Sequence, residues 1–168
     1  MSTRARLARA VAVALAAALA TAATATDVPC ITAAGEGDLA RVREHIRECA
    51  REVTDAGETA LHTAAISGNA DVARALIEEG GCDVNARTHG GEYLSMAPLA
   101  WWVYGGDANA RGVELLLDAG AELNALNADG HTALDMVVDG GEFSARVREI
   151  LVERGGKRGV DVLERDEL

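Results

Sequence analysis

A chain of 168 residues has room for one domain of ordinary size. Hydrophobic residues make up 49% of it but aromatic ones only 3%, so any core must be built from Ala, Val, Leu and Ile, which favours closely approaching helices. The formal net charge of −11, with Lys157 the only lysine, works against free DNA or RNA as a partner, because a net acid repels a polyanion.

The chain opens with Arg4, Arg6 and Arg9, runs through uninterrupted Ala, Val and Leu from Ala10 to Ala20, and continues Thr-Ala-Ala-Thr-Ala-Thr. A basic lead, an apolar run and small residues predict a cleavable signal peptide over residues 1–26. The run is shorter than the roughly twenty residues a bilayer demands, so no membrane span is expected after cleavage. Residues 27–163 then read as the folded domain and 164–168 as a tail. Arg41, Arg43, Arg47 and Arg51 are interleaved with Glu44, Glu48 and Glu52, the pattern of a solvated, salt-bridged helix face.

Further along, Thr59 is placed as a helix N-cap and Thr132 repeats the arrangement. Ala64 and Ala65 allow close helix packing, Gly68 permits a tight turn, and Gly80 and Gly120 are placed to end helices in the left-handed conformation. Val72, Leu76 and Ile77 sit at helical spacing, as do Val113, Leu116 and Leu117, each set forming an apolar stripe. One helix pair cannot bury such a stripe on both sides, but stacked pairs can.

The segments recur. Gly57-Glu58-Thr59-Ala60-Leu61-His62-Thr63-Ala64-Ala65 is followed by Gly68-Asn69, by Asp71 to Ile77, and by Gly80 and Asp83-Val84-Asn85. Weaker copies run from Ala97-Pro98-Leu99-Ala100 to Gly120-Ala121-Glu122-Leu123-Asn124, and from Asp129-Gly130-His131-Thr132-Ala133-Leu134-Asp135 to Gly155. Ala33-Ala34-Gly35-Glu36-Gly37-Asp38 looks like an opening unit without its front turn. The pattern resembles the ankyrin repeat, G-x-T-P-L-H-x-A-A, a glycine, an apolar helix and G-A-D-V-N. That resemblance implies an all-α solenoid of four helix-turn-helix units, near 28–54, 55–87, 88–127 and 128–163, with short β-hairpin fingers. Ala60 and Ala133 stand where the pattern has proline, and the stretch from Asn85 to Pro98 is longer than the pattern predicts.

The resemblance also implies a non-enzymatic, monomeric module that binds a protein partner through its concave face and fingers. The expected contact residues are Arg87, His89, Glu92 and Tyr93 on a finger and Thr63, Ile66, Ser67, Trp101, Tyr104 and Met136 on the inner face. Trp101 and Tyr104 are three apart and share a helix face, which in this family lines the groove. Trp102 stands where the pattern wants alanine, and core packing in the space made by longer loops is the competing reading of the aromatic cluster. The alternative function is a structural, inhibitory or redox-linked accessory subunit of a lumenal or periplasmic enzyme, the redox role needing an exposed Cys82 with a lowered pKa.

No G-x-S-x-G, H-E-x-x-H, phosphate loop or C-x-x-C is present, so no catalytic, metal-binding or cofactor-binding residue is nominated. His62 falls in the repeat's turn, His131 at a finger tip, and His45 on the charged outer helix. Ankyrin geometry would bring Cys30 and Cys49 together at the ends of an antiparallel pair; a disulfide and two reduced thiols both remain open. The chain ends Arg165-Asp166-Glu167-Leu168, close to the K-D-E-L type of retrieval tail. With an entry signal, that predicts the endoplasmic-reticulum lumen, or the periplasm or exterior in a bacterial host.

Overall fold

The computed structural model describes residues 29–89, 95–137 and 144–164. The leader over 1–26, the tail Arg165 to Leu168, and the finger residues Glu92 and Tyr93 lie outside those residues.

The first unit begins with α1 (Pro29–Glu36), whose Pro29 tolerates the first helical position because no partner is needed for its missing N–H. The free amides of Cys30 and Ile31 in that first turn donate to Glu52 Oε2 at 3.0 and 3.3 Å. Asp38 caps α2 (Leu39–Glu44) by accepting from the Arg41 amide at 3.1 Å. The outer helix then breaks at His45 and resumes as α3 (Ile46–Cys49).

In the second unit α4 (Ala60–Ser67) starts in a capping box between Thr59 and His62 and stops at Gly68, whose φ of 64° a side chain would strain. Asn69 caps α5 (Ala70–Glu78) by accepting from the amides of Asp71 and Val72. The sequence pattern nominated Gly80 as the left-handed stop; it is Gly81, at φ 67°, that takes that conformation. Gly80 stays on the helical side because its amide donates to Ala75 O at 3.0 Å. Gly120 is left-handed at φ 91° as expected.

The third unit pairs α6 (Pro98–Tyr104) with α7 (Ala110–Asp118) through a 3₁₀ turn at Gly106–Asn109. The fourth pairs the single-turn α8 (Ala133–Met136) with α9 (Ala145–Glu153), and α10 (Gly159–Leu163) closes the end. Helices α1, α4, α6 and α8 pack side by side as an inner layer; α2 with α3, α5, α7 and α9 form the outer one. Between the layers runs one continuous core, from Cys30, Ala33 and Val42 through Leu61, Leu76 and Trp102 to Leu116, Ile150 and Leu151.

The fingers close by one recurring backbone bond each: Thr54 to Glu58 O at 3.0 Å, Thr88 to Met96 O at 3.1 Å and Asn127 to His131 O at 2.9 Å. Among the described residues these closures are turns, and no strand forms. The helical part of the expected architecture is therefore present, while no β-hairpin is formed by the finger residues among those described. A ladder needs several paired bonds, and the closures at Thr54–Glu58 and Asn127–His131 are too short for one.

Candidate functional site

The joints between units decide which side chains are left for a partner. At the second joint, His62 Nδ1 accepts from the Thr59 amide at 3.1 Å and lies 2.9 Å from its hydroxyl, while Nε2 lies 3.1 Å from Met96 O. A carbonyl can only accept, so Nε2 carries the proton and the ring is the neutral tautomer. Burial pushes its pKa down to about 4, against a small opposing pull from the Met96 carbonyl. Trp102 Nε1 donates to Leu61 O at 2.9 Å across the same joint. Asn109 Nδ2 donates to Ala65 O at 3.1 Å and to Trp102 O at 3.2 Å.

Three expected contact residues are buried. Thr63 is 3% exposed and its hydroxyl donates to Ile31 O at 3.0 Å, Met136 is 4% exposed, and Trp101 is 1% exposed with its ring edge-on to His62 at 5.5 Å. The inner face of α6 that carries Trp101 turns toward the neighbouring unit, because its place in the helix matches that of Thr63 in α4. Trp101 is thus a core residue, and Trp101→Ala would cost stability and not surface contact. The core reading of Trp102, wholly buried, is the one the packing bears out.

Among the described residues, the other nominated side chains reach the surface. Ile66 and Tyr104 occupy matching places near the ends of α4 and α6 and are half-buried. Ser67 is exposed, though its hydroxyl donates to Ala34 O and Ala64 O. His89 is exposed, its amide donating to Ala56 O at 2.8 Å. Arg87 is exposed and braces two fingers, donating to Ser95 O at 3.1 Å and Leu126 O at 2.6 Å.

Cys30 and Cys49 are joined as a disulfide, Cα–Cα 5.3 Å, tying the start of α1 to the end of α3. Cys82 is buried, and desolvation pushes its thiol up to about 11. A thiol so placed is protonated at neutral pH and a poor nucleophile, not the exposed, lowered-pKa thiol that a redox role calls for.

Two further sets of residues organise the array. Asn85 accepts from the Glu122 amide at 2.8 Å and donates to Gly120 O at 3.2 Å; Asn124 accepts from the Lys157 amide at 2.7 Å and donates to Gly155 O at 3.3 Å. Their recurrence in Asp83-Val84-Asn85 and Glu122-Leu123-Asn124 was the available signal. On the outer helices Arg43–Glu79, Arg111–Asp71, Arg146–Glu114 and Arg154–Asp118 pair across successive joints at 2.8 to 3.0 Å. Each exposed pair contributes little energy, but together they engage four arginines of the outer layer with carboxylates of the neighbouring unit. No group of three or more His, Cys, Asp or Glu suited to a metal occurs among the described residues.

No helix among the described residues is long and apolar enough to cross a membrane. The chain matches no curated protein. The family model described as ankyrin repeat matches residues 56–89, the second finger-to-finger unit, and that match supports an ankyrin-repeat protein.

Proposed function

We propose that this chain is a non-enzymatic binding module that grips a protein partner along the inner-helix ends and fingers, through Ile66, Ser67, Tyr104, Arg87 and His89, with Glu92 and Tyr93 as further candidates from the sequence. Ankyrin repeats are generally protein-interaction modules, and the match at residues 56–89 supports that role. The observation that carries the choice of face is a contrast in composition: the outer layer carries four arginine–carboxylate pairs across the joints, whereas Ile66 and Tyr104 form an aligned, partly exposed apolar pair on the inner layer. An apolar pair rimmed by polar fingers is the composition of an interface.

The strong net acid favours a partner with a basic patch, through steering more than through affinity. The basic-apolar-small layout of residues 1–26, the terminal Arg165-Asp166-Glu167-Leu168 and the paired Cys30 and Cys49 support a secretory-pathway location, with retrieval to the endoplasmic reticulum lumen. Affinity purification with cross-linking of the mature chain tests both parts. Wild type should capture a partner that Ile66→Asp and Tyr104→Ala lose at unchanged melting temperature. Equal capture by all three would overturn the assignment of the face.

A further inference from the structure

We infer that the joint between the third and fourth units carries a binding notch for a neutral imidazole ring. The notch is the His62 site repeated one unit later without its histidine. In the second unit, the ring spans two fixed backbone groups: the Thr59 amide donates to Nδ1, and Met96 O, the finger-closing carbonyl of the next unit, lies opposite Nε2. Aligning Thr59-Ala60-Leu61-His62 with Ala97-Pro98-Leu99-Ala100 places Ala100 where the imidazole stands. The fourth unit restores a linking side chain: Asp135 Oδ2 accepts from the Thr132 amide at 3.0 Å and reaches on to the Gly159 amide at 2.6 Å. Among these three units, the third alone has a methyl group there.

Both backbone partners survive the loss of the ring. Among the described residues, the Ala97 amide finds no acceptor and His131 O, the counterpart of Met96 O, receives the finger-closing bond from the Asn127 amide and no other. Between them lies a solvent-open depression walled by Met96, Ala97, Ala100, Asn127, His131 and Met136. Its wall holds two further buried atoms without a partner, Asn127 Nδ2 and His131 Nδ1. Unsatisfied buried polar atoms are costly, and a group that supplies both a donor and an acceptor can lower the cost. A neutral imidazole supplies a donor and an acceptor of the kind His62 presents one unit earlier, and the unbranched Met96 and Met136 can shift to admit it. The depression's enclosed floor is no larger than a water, so the ring enters edge first from the open concave side with its N–H leading. The inference deepens the protein-binding reading, resting on it only in assigning the ring to a partner's histidine.

The test needs no partner, so its failure is separable from failure of that reading. Imidazole is titrated into the full chain at about pH 8, above the roughly 6.5 of an ordinary histidine, with melting temperature and amide shifts as readouts. A saturable rise of a few degrees is expected, with shifts centred on Ala97, Asn127 and His131. Ala100→His should raise the melting temperature by itself and abolish the response. Ala100→Leu, which fills the notch with no hydrogen-bonding atom, should abolish the response without that gain and keeps the test decisive if Ala100→His folds poorly. No saturable response in wild type, or an equal one in Ala100→Leu, overturns the inference. Comparing N-acetyl-histidine methylamide with free histidine identifies the source: tighter binding of the capped form assigns the ring to a protein, tighter binding of the free form to a small molecule.

Discussion

Trp102 lies against Gly112 so closely that a Cβ on the glycine would fall inside the indole ring, at Cζ3 and Cε3. Aligning α5 with α7 explains the pair. Trp102 takes the place Ala64 holds in the second unit, and Gly112 takes the place of Val72. A large residue on the inner helix is thus matched by a deleted side chain on the outer one, which clears part of the room the indole needs.

That exchange gives the first prediction. Gly112→Val alone should overpack the joint and destabilise by about 1–3 kcal/mol. Trp102→Ala alone should cost about 3–5 kcal/mol, through the cavity and the lost bond to Leu61 O. The double variant, which restores the small-and-branched pairing of Ala64 and Val72, should cost clearly less than the sum. Urea unfolding of the four proteins measures the coupling. Simple additivity would mean the two residues do not share one space.

The disulfide gives the second. Cys30 and Cys49 are 19 apart in sequence, and closing a loop of that size is worth about 3 kcal/mol in the unfolded chain. Reductant should therefore lower the melting temperature of wild type and have no effect on a Cys30→Ser, Cys49→Ser variant already melting at the lower value. Since Cys82 is buried with a raised pKa, it should resist iodoacetamide in the native protein and react on unfolding. Rapid native labelling at Cys82 would contradict its placement.

How much of this was legible in the residues follows from what each signal depends on. Caps and turns were readable because they are local: Thr59, Thr132 and Gly68 act within a few residues of themselves. The stop at Gly81 was misplaced by one residue, because two adjacent glycines offer the same chemistry and only the Gly80 amide's bond to Ala75 O separates them. Trp101 was misassigned because spacing says which residues share a face but not whether that face meets solvent or the next unit. The match between Trp102 and Gly112 joins separate helices, and only the alignment of one unit on another brings it out.

The last prediction concerns pH, where two buried groups pull in opposite directions. His62 is neutral when folded, with its pKa lowered to about 4 from an ordinary 6.5. The unfolded chain binds that proton first, so the stability this ring contributes is complete above about pH 6.5 and is lost as pH falls toward 4. The shift corresponds to about 3 kcal/mol. Glu58 runs the other way. The residue is 2% exposed, Oε1 has no partner among the described residues, and desolvation raises its pKa despite the hydrogen bond from Thr54. A raised carboxyl favours the fold below its unfolded value of 4.5 and loses that contribution as pH rises through the folded value. Chemical unfolding from pH 4 to 8 should therefore show a steep acid limb from His62. Glu58→Gln should raise stability at pH 7 relative to wild type while leaving that limb in place. His62→Gln should lower stability at neutral pH and flatten the limb, because no proton is then taken up on unfolding. An unchanged acid limb in His62→Gln would mean that some other group takes up the proton, and that the link from Thr59 to Met96 O is not what acid breaks.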